Sequence, residues 1–253
     1  MRPLLLSFLV FFMPTSWADE MLGELDLSKG NALQMQLCSL KPGKSMKAYE
    51  AMFDDYLEWA VENDQESWAL RLTPVFAAPG PNASFEWIEI MASPFEKWGA
   101  GWDKWLGTKE GSRLNDQWQE LADCRVAVHQ MFNLYIDRDG LADDSRVITM
   151  NWCTRNEGVT YNQLNERHRA AAANMDDSPV VAWNIIYPGV GARNVPGEFL
   201  HMMSYKNHQG LMLSRDAFAN AGGWQRREAY ETSYATCTGA NVYQAEVLQV
   251  PGS

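Results

Sequence analysis

The chain has 253 residues, 46% of them hydrophobic and 12% aromatic, and a formal net charge of −11. That share of apolar residues supports a sizeable buried core, and the length suits one large domain or two small ones. The acidic balance repels phosphate backbones and anionic bilayers, which argues against nucleic acid and the membrane surface as partners.

Residues 1–18 read as a secretory signal: Arg2 opens it, Leu4 to Phe12 is the apolar run, and Ser16-Trp17-Ala18 offers small residues to a signal peptidase. The run is too short to span a bilayer, and nothing later reaches that length, so no membrane insertion is expected after signal cleavage. Cleavage removes one base and no acid, leaving an acidic chain in the periplasm or secreted, where disulfides are permitted.

Leu33 to Leu40 alternates like a strand. Ser45 to Glu62 carries Met46, Tyr49, Met52, Phe53, Tyr56, Leu57 and Ala60 at helical spacing, with Ser45 as the N-cap. Trp68 to Phe76 and Phe85 to Met91 read as strands around a Pro79-Gly80-Pro81-Asn82 turn. A tryptophan-rich helical region runs from Trp98 to Leu121 with breaks at Gly107 and Gly111, and Cys124 to Phe132 is a fourth strand. After a polar linker the order recurs: strand Arg146 to Cys153, helix Tyr161 to Met175, strands Val180 to Tyr187 and Glu198 to Tyr205, helix Leu211 to Thr232, strand Cys237 to Leu248.

The recurrence is a duplication. Cys38 and Cys153 are 115 residues apart, and Cys124 and Cys237 are 113 apart. Leu72-Thr73-Pro74 answers Ile186-Tyr187-Pro188, and Glu86-Trp87-Ile88-Glu89 answers Glu198-Phe199-Leu200-His201. The expected domains are a first ferredoxin-like repeat over 19–136, a linker over 137–145 and a second repeat over 146–253.

The β-α-β-β-α-β order is the ferredoxin-like split unit, and right-handed crossovers lay it out as strands 4-1-3-2 with both helices on one face. First and fourth strands are then antiparallel neighbours, which selects Cys38–Cys124 and Cys153–Cys237 from the three possible connectivities. The bare face of each sheet needs a partner, and the tandem copy supplies it. On element order and duplication, residues 31–250 resemble the dimeric α+β barrel superfamily with both halves on one polypeptide. The resemblance implies an α+β fold closed within one chain, hence a monomer. It implies no single function, because the superfamily spans cofactor-free monooxygenases, heme peroxidases and chlorite dismutases.

Alternation separates the two faces of each strand. With Met35, Leu37, Ile88, Ile90, Met150, Trp152, Leu200 and Met202 on the helix side, the barrel interior receives Gln34, Gln36, Trp87, Glu89, Met91, Asn151, Phe199, His201, Met203 and Tyr205. On this reading Glu89 and His201 are candidate acid/base residues sharing a proton in one cavity, or a plain hydrogen-bonded core pair. Gln36, Trp87, Asn151, Phe199, Met203 and Tyr205 would touch a small-molecule ligand. The expected function is small-molecule binding in the barrel. The alternatives are a cofactor-free oxygenase or isomerase, a heme protein with His201 as axial ligand, or a structural module with a filled barrel. The cofactor stays open. No histidine pair has zinc spacing, so no metal site is expected. Trp98, Trp102 and Trp105 form one helical stripe, either core or an aromatic platform for a flat ligand or sugar.

Overall fold

The computed structural model describes residues 29–77, 85–141, 145–175 and 177–251, so the signal reading of residues 1–18, the Pro79-Gly80-Pro81-Asn82 turn and linker positions 142–144 lie outside the described residues. The elements are β1 (Asn31–Leu40), α1 (Met46–Glu62), β2 (Trp68–Phe76), β3 (Trp87–Ser93), α2 (Phe95–Gly107), α3 (Lys109–Leu121), β4 (Ala122–Ile136), β5 (Ser145–Arg155), α4 (Tyr161–Ala172), β6 (Val180–Val190), β7 (Phe199–Tyr205), α5 (His208–Asn220), α6 (Gly223–Ser233), β8 (Ala235–Cys237) and β9 (Asn241–Gln249).

Helix starts follow local chemistry. The Ser45 side chain accepts from the Ala48 N–H at the head of α1, and Thr160 with Gln163 closes a capping box on α4. The helical regions expected over residues 98–121, with breaks at Gly107 and Gly111, and over residues 211–232, with a Gly222-Gly223 interruption, are each two helices. Thr108 leaves helical geometry and caps α3 by accepting from Gly111. Gly222, at φ 75°, turns the chain between α5 and α6 in a conformation other residues rarely adopt.

The strands run antiparallel in the order β7-β6-β4-β1-β3-β2-β9-β5, and β5 pairs back onto β7, closing an eight-stranded barrel. Residues 31–136 contribute β4-β1-β3-β2, and residues 145–249 contribute β9-β5-β7-β6 in the same relative order. The halves join through β2–β9 and β4–β6. Beside the second join, a Cβ on Gly189 would lie 2.3 Å from the Val128 carbonyl oxygen, so this approach requires glycine. β8 continues the line of β9 along β5 beyond a break, where the Asn151 side chain accepts from the Gly239 N–H at 2.9 Å. Cys38 sits opposite Cys124 and Cys153 opposite Cys237, and both pairs are disulfides, as the strand order requires.

The strand faces are reversed from the sequence expectation. One buried cluster takes Leu33, Met35, Leu70, Ile88, Ile90, Ile148, Met150, Ile186, Leu200, Met202 and Tyr243, with no helical residue in it. A cluster drawn from both halves and from strands alone is the interior of the closed barrel. Gln36, Glu89, His201 and their neighbours therefore face the helices. The reason is physical: β1, β3 and β7 are buried on both faces along most of their length, so alternation gives the period but not the side. The interior is mostly aliphatic and thioether, with Trp68 and Tyr243, and the register also turns His129, Arg146 and Asn184 toward it, opposite Leu33, Ala245 and Met202. The helix side can hold polar groups because helices bring side chains that satisfy them.

Candidate functional site

In the first half, α1, α2 and α3 stand off the outer face of β1 and β3 and leave an aromatic cleft. Its cavity volume is about 70 Å³, and the cleft opens to solvent at its mouth. Gln34, Gln36 and Met91 form the floor; Tyr49, Phe53, Tyr56 and Trp59 come from α1; Trp98, Trp102 and Trp105 come from α2, and Trp118 from α3. Trp105 meets Trp59 edge-on at 5.1 Å and Tyr56 at 5.4 Å between ring centroids, the packing that ring quadrupoles favour. The tryptophan stripe is thus a cleft wall, with Trp105 also serving the core.

The polar groups of the cleft are mostly committed. The Trp102 Nε1–H donates to Gln34 Oε1 at 3.1 Å, and the Trp105 Nε1–H to Asn115 at 3.2 Å. The Trp98 Nε1 is buried without a partner. Burial pushes the Tyr56 phenol up to about 12.

Glu89 lies under the floor, with no exposed surface. Its Oε2 accepts from Tyr49 Oη at 2.7 Å and Gln36 Nε2 at 3.1 Å. Its Oε1 accepts from Arg71 Nε at 3.2 Å and Nη2 at 3.0 Å. Arg71 also reaches Glu50 on α1 at 3.3 Å. Burial drives the Glu89 carboxyl upward, and Arg71, then Tyr49, pull it back. Burial and the adjacent carboxylate drive the Tyr49 phenol well up. Tyr49 and Gln36 line the cleft and hold Glu89 behind it, so a group that bonds to the Tyr49 oxygen is one hydrogen bond from a buried carboxylate.

His201 is elsewhere. Its Nδ1 accepts from Trp183 Nε1 at 3.0 Å, its Nε2 lies 3.3 Å from Tyr230 Oη on α6, and the His168 ring is 5.0 Å away. Burial, then His168, pushes its pKa down to about 3. Glu89 and His201 therefore share neither a cavity nor a hydrogen bond: each is tied into the sheet–helix interface of its own half. His201 also does not fit as an axial heme ligand. An indole N–H only donates, so Nδ1 holds the lone pair and the proton is on Nε2. Neither nitrogen is available to iron while both contacts stand.

Of the residues expected to touch a ligand, Gln36 lines the cleft. Trp87 packs edge-on against Tyr49 at 4.8 Å. Asn151 pins the β8–β9 break, Phe199 lies against His168 and His201, and Met203 accepts from the Tyr205 hydroxyl. The reading missed Tyr49, Tyr56, Trp59 and Trp118. Tyr49, Tyr56 and Trp59 share one face of α1 at spacings of 7 and 3, a signal present in the sequence, where the two tyrosines count only as helix-spaced positions. Cys153, His201 and Cys237 approach as three possible metal ligands, but the disulfide already uses both sulfurs.

No protein-family model matches the chain, and no curated protein matches it in sequence. Solved structures match its fold over most of its length. An anthrone oxidase-like protein superposes with TM-score 0.53 at 14% identity, over 89% of this chain and 94% of its own. A candidate monooxygenase from Fusobacterium nucleatum subsp. nucleatum gives 0.51 at 8% identity, over 88% and 94%. A candidate chlorite dismutase gives 0.50 at 10% identity, over 88% and 96%. Identities this low carry the fold alone, and the fold of this chain is the dimeric α+β barrel.

Proposed function

We propose that this protein binds a small, flat, largely apolar aromatic molecule in the cleft between the outer face of β1 and β3 and helices α1 to α3. The observation that carries the reading is the contrast between two spaces. The barrel interior is filled by a strand-only, mostly apolar cluster, while five tryptophans converge on an open cleft outside it. The buried, unpartnered Trp98 Nε1–H favours a ligand with a hydrogen-bond acceptor on its rim. The proposal includes the setting: export through residues 1–18, two ferredoxin-like repeats over 19–136 and 146–253, and a monomer whose barrel is complete within one chain. The repeated strand order supports the duplication, and the two disulfides fit an oxidising compartment.

Calorimetric titration with 1-naphthol and 1,4-naphthoquinone tests binding. Trp102→Ala, in the cleft, should weaken affinity at least tenfold, and Trp224→Ala, on the far surface, should leave it unchanged. Equal effects from both, or no heat with either probe, would reject the reading.

A second reading is favoured by the Tyr49–Glu89 contact. A ligand hydroxyl donating to Tyr49 could lose its proton through that phenol to the carboxylate, and the upward push of burial on Glu89 makes it a stronger base. Proton abstraction from an acidic phenol or enol is the chemistry this arrangement supports, with Tyr49 and Glu89 in place of His201. Because the fold neighbours include candidate monooxygenases, dissolved oxygen is the co-substrate to test with electron-rich naphthols. Uptake abolished by Glu89→Gln would support this reading, and uptake that survives the change would remove it.

A further inference from the structure

We propose that the second half carries an acid-released clasp: the chain Trp183–His201–Tyr230–His168 holds α4 and α6 on the sheet only while both imidazoles are neutral.

Hydrogen-bond direction makes the case. Trp183 Nε1 can only donate, so His201 Nδ1 is an acceptor and its proton sits on Nε2. That Nε2–H points at Tyr230 Oη, 3.3 Å away, and donates to it. The phenol hydrogen then goes to His168 Nε2, at 2.9 Å. His168 carries its proton on Nδ1, which is buried without a partner. One direction runs from β6 through β7 and α6 to α4. A proton added to His201 Nδ1 would face the Trp183 N–H, and one added to His168 Nε2 would face the phenol hydrogen. Either breaks a link of the chain.

The surroundings offer no compensation. Around His168 lie Trp183 of β6, Phe199 and His201 of β7 and Tyr230 of α6, with ring centroids 5.0 to 5.8 Å away. The charged groups acting on the pair are Arg167 on α4, which opposes protonation of His168, and Glu231 on α6, which acts on Tyr230 and is bound to Arg227 at 2.7 Å. Among the described residues, no carboxylate bonds to either ring. Burial holds His168 near 4 and His201 near 3, against about 6.5 for an exposed histidine. A folded value below the open one stabilises the closed form above about pH 6.5, and that stability is lost as pH falls toward 4. Between pH 7 and pH 5 the open-to-closed ratio rises about 25-fold per ring, about 600-fold for two.

Hydrogen exchange on the full chain, corrected for the intrinsic pH dependence of exchange, tests this. Protection in α4 and α6 should fall about 600-fold from pH 7 to pH 5, with α1 to α3 unchanged. In H168Q/H201Q the glutamine amides keep the same donors and acceptors but do not titrate, so the fall should vanish. Unchanged protection in the wild type, equal loss in all helices, or a fall that persists in the double variant would overturn the clasp. If that variant does not fold, ring-proton titration of the wild type decides. Both rings should stay neutral to pH 5 while α4 and α6 are closed, and a midpoint near 6.5 with closed helices would overturn the proposal.

Discussion

Arg71→Met is the sharpest perturbation of the site's foundation. Arg71 gives two hydrogen bonds to a carboxylate with no exposed surface, and its guanidinium lies 5.7 Å from the Tyr49 ring centroid and 5.6 Å from that of Phe53. Methionine keeps most of the apolar stem and removes the charge. Glu89 would retain Tyr49 and Gln36 as donors but lose its counter-ion. Orphaning one member of a buried pair costs about 3 to 5 kcal/mol, and the two ring contacts add about 0.5 to 1 kcal/mol each at most. Equilibrium urea unfolding should therefore show a loss of about 3 to 7 kcal/mol at pH 8. The pH dependence has a fixed sign. Without Arg71 the largest opposition to burial is gone, so the folded pKa of the carboxyl, already raised, rises further above the unfolded value. The variant then takes up a proton on folding, and part of the loss is recovered as pH falls from 8 to 5. R71M/E89M, with neither charge, should be far closer to wild type than R71M alone. A loss below 1 kcal/mol, or a double variant as unstable as the single, would refute the account of this network.

Gly189→Ala should destabilise the fold by more than about 2 kcal/mol in the same assay, because its methyl group meets the Val128 carbonyl where the halves join. Replacing Cys38 and Cys124 by serine opens a crosslink spanning 86 positions and should cost up to about 4.6 kcal/mol on the chain-entropy estimate. His129, buried on β4 with its pKa pushed down to about 4, favours the folded state above pH 6.5 and withdraws that support as pH falls. His129→Gln should flatten the pH 7 to 4 stability profile by about 3 kcal/mol, seen by urea unfolding at each pH.

The element order and both disulfides are legible in the sequence because they rest on spacing. Cys38 and Cys124 face each other for the same reason that first and fourth strands are neighbours. The face of each strand is not legible. Ile88 and Ile90 look like residues that helices would cover, and Glu89 looks like one that a cavity would need. In a sheet buried on both sides, however, hydrophobicity marks only the absence of polar partners. Tyr49 and Tyr230 supply those partners from helices, and nothing in the local pattern of β3 or β7 announces them. The cleft was half visible: the Trp98, Trp102, Trp105 stripe shows one wall. The opposite wall depends on where α1 sits relative to α2, a tertiary fact.

The most direct test of the central claim is a crystal structure of the protein grown with 1-naphthol. Ligand density should lie against Trp102 and Trp105, with its oxygen toward Trp98 Nε1 or Tyr49. Density inside the barrel among Leu33, Ile90 and Met150, or only in the shallow surface groove at Phe218 and Trp224, would contradict it.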